Sequence, residues 1–383
     1  MTKLGEIAEI TVGFAFRSKD FTEFDDDIRL ARGENIGQGD LKWLRTKRWP
    51  KNRSKEFEKY LLREGDLLIA MDGMIVSAGL KFAVVRLRDL PALLVQRVAR
   101  IRSIAGSSNQ EYLNFLVSNG DFENYVKSVQ TGSVIPHISA TQIADFEIGE
   151  LPSIEVQNQV GALLKSIDSR IETNKTQISK ALKLALLHAE KTFESRQLVS
   201  YTTACSVRMG SSFKSEMFSE PGYGRPLLRI RDLRTFAPQI WTSEYRDDEV
   251  TIDPGKIVVG MDAEFRATLW LGPKSVLNQR VCSFSPLPGV SRAFVLAALA
   301  RDLAYFETSK TATTVIHLNK ADIDKFEVPE ISAEEHHQLH LVTEPLVDLA
   351  VARSSEIESL RRLRSSLIPE LLSGRQSGSE VVA

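Results

Sequence analysis

The chain has 383 residues, 43% apolar and 26% charged, a globular composition sufficient for two to three domains that excludes a disordered or fibrous protein. With 49 Lys+Arg against 50 Asp+Glu, the formal charge is -1, so overall basicity gives no argument for nucleic acid and only local charge can. No apolar run approaches a membrane span and no basic-then-apolar leader follows Met1, so a cytoplasmic location is expected. The two cysteines, Cys205 and Cys282, and six histidines lack C-x-x-C or H-E-x-x-H spacing, which excludes a motif-built metal site.

In chain order, "FAFRSKDF" (Phe14 to Phe21) is followed by Arg29 and Arg32 in "DDIRLARGENI". From Leu41 to Lys55 come seven basic residues, Lys42, Arg45, Lys47, Arg48, Lys51, Arg53 and Lys55, with no acidic one and with Trp43 and Trp49 between them. Cations interleaved with rings suit a phosphate backbone and its sugar or base edges. They suit equally a solvated loop that its tryptophans anchor. "DLLIAMDG", "LKFAVVRL" and "LLVQRVARI" read as strands, and "QEYLNFLVSNGDFENYV" places apolar groups three and four apart as an amphipathic helix does. The "VQTGSVIPHIS" loop carries the hydroxyls of Thr131 and Ser133, suited to holding a phosphate or to seating the next strand. From Val160, the series Leu164, Ile171, Ile178, Ala185 runs at sevens beside Val160, Ile167, Asn174, Ala181, His188, which predicts a long heptad helix.

The order then starts again. "SSFKSEMF" echoes "FAFRSKDF", "DPGKIVVGMDA" echoes "REGDLLIAMDG", "LNQRV" echoes "LVQRV", and "HLNKADIDKFEV" echoes "HISATQIADFEI", at offsets falling from 197 to 180. Duplicated scaffold elements with loops of different length give this pattern. The second copy carries Arg225, Arg229, Arg231 and Arg234 in "GRPLLRIRDLR", where strand alternation would set Arg229 and Arg231 on one side. Its "KTATTVIHLN" loop repeats the hydroxyl pattern with Thr313 and Thr314. Asp72 and Asp262 each follow a buried-looking strand, and as lone carboxylates they make no case for catalysis. His137 and His317 recur without a second ligand nearby and read as packing or hydrogen-bonding histidines. The second tail gives Val342, Leu346, Leu349, Arg353, Ile357, Leu360, Leu363 and Leu367 at spacings of three or four. Gly161 and Pro345 near the helix starts are the interior breakers.

The expected fold class is therefore α+β: two mixed α/β heads, each followed by a long helix, the helices forming an antiparallel coiled coil with pseudo-two-fold symmetry. The boundaries expected are a first head at 1–150, a helix at 151–198, a second head at 199–332, a helix at 333–373 and a disordered tail at 374–383. Leu164, Ile167, Ile171, Ile178, Leu346, Ile357, Leu360 and Leu367 are the expected interhelix or partner contacts. The competing arrangement packs each helix on its own head.

Two variable heads, each followed by a long helix, resemble the specificity subunit of type I restriction-modification enzymes. The likeness is sharpest from "TGSVIPHI" through "LPSIEVQNQVGALLKSIDSRIE", where Gly132, Pro136, Ile143, Pro152, Gln157, Val160, Leu164 and Asp168 look like the family's scaffold signature. The second copy has "AEEHHQL" where the family commonly has a proline-led P-x-x-E-Q pattern. The resemblance implies two target-recognition domains that each read half of an asymmetric bipartite double-stranded DNA site. It also implies helices that set the spacer and dock two methyltransferase subunits, with restriction/translocase subunits as further partners. This chain would hold no cofactor, since S-adenosylmethionine and ATP with Mg would bind the partners, and it would not be an enzyme by itself. No G-x-G-x-x-G, Walker or adenine-methyltransferase tetrapeptide is present. A DNA-binding subunit of a different defence or modification system, and a protein-only coiled-coil scaffold, remain as alternative readings.

Overall fold

A computed structural model describes the chain except Arg45 and residues 77–78, 133–135, 263–264, 310–316 and 373–383. The tail expected from 374 lies outside the described residues. Apolar β-rich segments close into sheets twice over. In the first, the antiparallel order is Ala8–Val12, Val98–Ser103, Leu67–Ala70, Phe82–Val84, with Gln38–Gly39 added in parallel at the edge. In the second it is Cys205–Met209, Val281–Pro286, Ile257–Gly260, Ala267–Leu269. These are the same four strands in the same order, and the central Leu67–Ala70 and Ile257–Gly260 are buried at every residue. A run buried on both faces reads as continuous apolar sequence, which is why both were visible as strands.

A smaller sheet is duplicated as well. Ile28–Ala31 runs parallel to Ala92–Leu94 and antiparallel to Arg48–Trp49, just as Arg225–Leu228 runs parallel to Ser275–Leu277 and antiparallel to Trp241–Thr242. Gly13 and Gly210 hold equivalent places where a Cβ would strike the backbone of Val95 and of Asn278. Two readings are refined here. "LLVQRVARI" is broken, because Arg97 takes a left-handed φ of 64° between Ala92–Leu94 and Val98–Ser103. "QEYLNFLVSNGDFENYV" forms two helices, Gln110–Val117 and Gly120–Val129, because the Asn119 side chain accepts from the amides of Asp121 and Phe122 and starts the second. Its counterpart is the single helix Arg292–Ser309.

The long helices are Ile154–Glu190 and Ala333–Leu372. In the first, Val160, Leu164, Ile167, Ile171, Asn174, Ala181 and Ala185 of the heptad series are buried and Ile178 and His188 half-buried, and Ala189, outside the series, is buried too. In the second, Leu339, Thr343, Val347, Ala350, Ile357 and Leu367 are buried, whereas Val342, Leu349 and Leu363 are exposed and Leu346 and Leu360 half-buried. The buried positions there depart from the leucine series, because leucine count alone does not tell a buried face from an exposed flank. The helices pack antiparallel: Arg170 Nε lies 2.6 Å from Glu356, Arg364 Nε 3.2 Å from Asp168, and Arg196 Nη2 2.5 Å from Glu335. The second helix starts at a capping box that the "AEEHHQL" sequence hides: Ser332 Oγ accepts from the Glu335 amide at 3.2 Å, and Glu335 accepts from the Ser332 amide at 2.8 Å.

The chain divides into two compact units, Met1–Asp168 with the stretch from Arg364, and Ser169–Leu363. In the first, Gln157 is buried and accepts from the Asn109 amide at 3.1 Å, and Lys165 pairs with Glu111 at 3.0 Å. Gly161 is there because a Cβ would meet Asn109 Oδ1 at 2.5 Å. In the second unit, Ala185, Ala189, Leu339 and Val347 share one core with Tyr201, Phe284 and Phe294. Arg292 donates through its amide and Nε to Glu344 at 2.6 and 2.7 Å. The helices therefore pack both on one another and on head residues. Cys205 and Cys282 are free and buried, and burial pushes each thiol up to about 12.

Candidate nucleic-acid interface

Local basicity in the first unit is partly answered by an acidic segment that sequence distance conceals. Lys47 Nζ lies 3.2 Å from Glu23, Arg48 Nη2 2.8 Å from Asp25 with Nη1 donating to the Asp27 carbonyl, and Arg53 Nη1 3.7 Å from Asp20. Asp27 accepts from the Lys51 amide at 2.9 Å, while the Lys51 and Lys42 side chains are exposed. Arg45 lies outside the described residues. Trp49 is buried among Phe16 and Phe57, and Trp43 donates its indole N–H to Asp89 at 2.8 Å. The tryptophans are thus anchors. Arg53 covers the Trp49 ring at 4.7 Å, and Arg29, which donates to the Arg88 carbonyl, lies 5.4 Å from the centre of the Trp43 ring. Arg32 pairs with Glu34 at 2.6 Å.

In the second unit the strand containing Arg225 ends at Leu228, so the expected alternation of Arg229 and Arg231 does not occur. Arg229 instead precedes the short 3-10 turn Ile230–Leu233, and its amide donates to the buried Asp232 carboxylate at 2.9 Å. The first unit uses the same device, with the Arg32 amide donating to buried Asn35 at 3.1 Å. A side-chain acceptor that bends the backbone within three residues outcompetes the strand here. Burial raises the Asp232 carboxyl and lowers Arg229. Arg225 is committed to Glu249 through two bonds of 2.5 and 2.9 Å and to the Tyr245 ring at 3.8 Å; the Glu249 hydrogen bond raises its pKa. Arg231 and Arg234 are exposed on or just beyond the turn.

A further constellation escaped the sequence reading. Three repeated segments meet in each unit: Asp72 accepts from Arg97 and, at 2.6 Å, contacts His137 Nδ1, and Asp262 is bonded to His317 and lies 3.3 Å from Arg280 Nε. Asp72 with His137 and Asp262 with His317 are also bridged through the backbone. The carboxylates are thus not the lone groups expected. Burial alone would raise Asp72, but hydrogen bonds from His137 and Arg97 more than offset it and lower its pKa. The repeat register itself was the available signal, since "MDG", "QRV" and "PHI" in the first copy are answered in the same order by "MDA", "QRV" and "IHL" in the second. Thr131 pairs with His137 through the backbone, its amide donating to the His137 carbonyl at 2.9 Å and its carbonyl accepting from the His137 amide at 2.7 Å. Ser133, Thr313 and Thr314 lie outside the described residues. Among the described residues, no group of three His, Cys, Asp or Glu is placed to hold a metal ion, and no helix is long and apolar enough to cross a membrane.

Residues 1–184 match the family model of the type I restriction modification DNA specificity domain. Over that stretch the chain is similar to type I restriction-modification specificity subunits. It is 33% identical over 188 residues to the type I restriction enzyme EcoAI specificity subunit of Escherichia coli, covering 49% of this chain and 31% of that one. It is 27% identical over 186 residues to the type I restriction enzyme MjaVIII specificity subunit of Methanocaldococcus jannaschii, covering 48% and 43%. The matched stretch is thus less than half the length of either relative. In fold, the chain is similar to the crystal structure of the type I restriction-modification system S subunit from M. genitalium, with a TM-score of 0.60 over 96% of this chain and 94% of that one at 14% identity.

Proposed function

We propose that this chain is the non-catalytic DNA-recognition subunit of a type I restriction-modification complex. Each head, 1–150 and 199–332, reads one half of an asymmetric bipartite site. The paired helices set the unread gap and dock two methyltransferase subunits, while S-adenosylmethionine, ATP and restriction/translocase activity belong to partners. The observation that carries this reading is a head fold made twice, with different residues in equivalent arginine-bearing turns: Arg32, Gly33, Glu34, Asn35 in one and Arg229, Ile230, Arg231, Asp232 in the other. The same scaffold with changed loop contents is what two half-sites of different sequence require.

The DNA-contact set proposed is Arg29, Arg32, Lys42, Arg45, Lys47, Arg48, Lys51 and Arg53 in the first head and Arg225, Arg229, Arg231 and Arg234 in the second. Exposed Arg231 is better placed than Arg225 to reach a base, because Arg225 is held by Glu249. The test is to produce the chain with its modification partner and map adenine methylation across a genome. One asymmetric bipartite motif is expected, with no methyl transfer by the chain alone in the presence of S-adenosylmethionine. Methyl transfer by partner-free chain, or modification without sequence preference, overturns the reading.

A further inference from the structure

We propose that the Arg97–Asp72–His137 cluster and its counterpart Arg280–Asp262–His317 are equivalent contacts to the DNA phosphate backbone, one on each head, that hold the duplex without reading its sequence. This rests on the DNA-recognition reading above. The first support is the contrast between what the heads share and what they do not. The turns at Arg32 and Arg229 have different contents, whereas the Asp, Arg and His are identical in kind and are gathered from three separated segments in both units. Within the duplex, two heads that read different half-sites have one part in common, the sugar-phosphate backbone, and a contact of the same kind on both suits it.

The second support is orientation. The Arg97 and Arg280 side chains are 69% and 50% exposed, against 20% and 22% for Asp72 and Asp262. Each carboxylate thus sits on the inner side and steadies a guanidinium whose remaining N–H groups face water. An arginine has five N–H donors, so one committed to a carboxylate keeps others for a phosphate oxygen, in a direction already set. The third is backbone conformation. Arg97 takes a φ of 64°, a state rarely adopted outside glycine, and its carbonyl accepts from the Met71 amide at 2.8 Å beside Asp72. The equivalent bond runs from the Met261 amide to the Arg280 carbonyl at 3.0 Å. Both arginines are therefore tied through main chain as well as side chain to the strand end that carries the aspartate.

The test uses the full chain with Arg97→Gln, Arg280→Gln and the double replacement. Affinity is measured on a duplex carrying the mapped site and on a scrambled duplex of equal length, over a series of NaCl concentrations. Each single variant should lose about tenfold on both duplexes alike, and the salt dependence of log affinity should flatten by up to about 0.9 per arginine. The ratio between duplexes and the melting temperature should stay unchanged. Arg97→Lys and Arg280→Lys should keep the salt dependence and recover part of the affinity. Unchanged binding of the Gln variants overturns the proposal, as does a loss confined to the mapped site with relaxed preference at one base. A wild-type chain that binds neither duplex, alone or assembled with its modification partner, overturns the DNA-recognition reading itself; wild-type binding with indifferent variants overturns only the phosphate contact.

Discussion

Asp66 shows how a single buried carboxylate organises the first head. It is 2% exposed, and its two oxygens accept from Arg102 Nε and Nη2 at 2.7 Å each while Oδ2 also accepts from the Arg63 amide at 2.7 Å. Removing one partner of a buried pair leaves the other uncompensated, so Asp66→Ala should cost about 3 kcal/mol or more of unfolding free energy in urea titration. A loss below about 1 kcal/mol would show that Arg102 finds water instead. The second head offers a contrast between two arginines. Arg225→Ala removes a bidentate bond and a ring contact and should destabilise by about 1 kcal/mol, whereas exposed Arg231→Ala should leave the melting curve unchanged and weaken DNA binding. Equal melting shifts for both would count against this division. Sequence marked both arginines as candidates because composition sees charge and not its partner; Glu249 and the acidic residues Asp20 to Asp27 come from elsewhere in the chain. For the same reason Asp72 looked solitary. Its partners lie 25 and 65 residues away, a separation that only the fold closes.

At the level of elements, the long helices were legible because a seven-residue period survives without tertiary information. Which side chains of the second helix are buried was not: Thr343 and Ala350 are buried while Leu349 and Leu363 are exposed, since the burial of a small or polar residue depends on what packs against it and not on its own hydropathy. Along the seam, Glu356 bridges both Arg170 and Arg353 at 2.6 Å. Hydrogen bonds from Arg170 and then Arg353 hold its carboxyl down to about 2, against an ordinary 4.5. A carboxylate with a lowered folded pKa binds its proton more weakly when folded. Its stabilising contribution is therefore complete above about pH 4.5 and is lost as pH falls toward 2. The stability difference between wild type and Glu356→Gln, followed by helix circular dichroism in denaturant, should narrow across that interval; a difference constant with pH refutes the linkage. Asn174 lies wholly buried on the same seam. A lone buried Asn in a coiled coil trades stability for a fixed register, so Asn174→Leu should raise the melting temperature. A fall would mean that its packing matters more than its polarity.

For the whole molecule, the duplication was the clearest signal in the sequence, and its four strands recur in one order because strand cores tolerate change of residue while keeping apolar character. Loop-borne turns were less legible, since Asn35 and Asp232 set similar bends from different side chains. The helix contacts also say where heads can be exchanged. Gln157 and Lys165 hold Asn109 and Glu111, so replacing residues 1–168 with the matching part of a relative should alter one half-site and melt higher than an exchange of 1–150, which separates those pairs. Simultaneous change of both half-sites, or an equal melting temperature for the two exchanges, would tell against it.

The assignment of Asp168 and Arg364 to one compact unit has a consequence for how the chain is made. A ribosome adding about 5–20 residues per second takes roughly ten to forty seconds to pass from one to the other. During that time the first head can fold, but the portion of its unit beginning at Arg364 has not yet been synthesised. The second unit is finished while the first still waits, so the unit that is begun first is completed second. The face of the first long helix that meets Arg364 at Asp168 stays open to solvent, or to a chaperone, until Arg364 has been made.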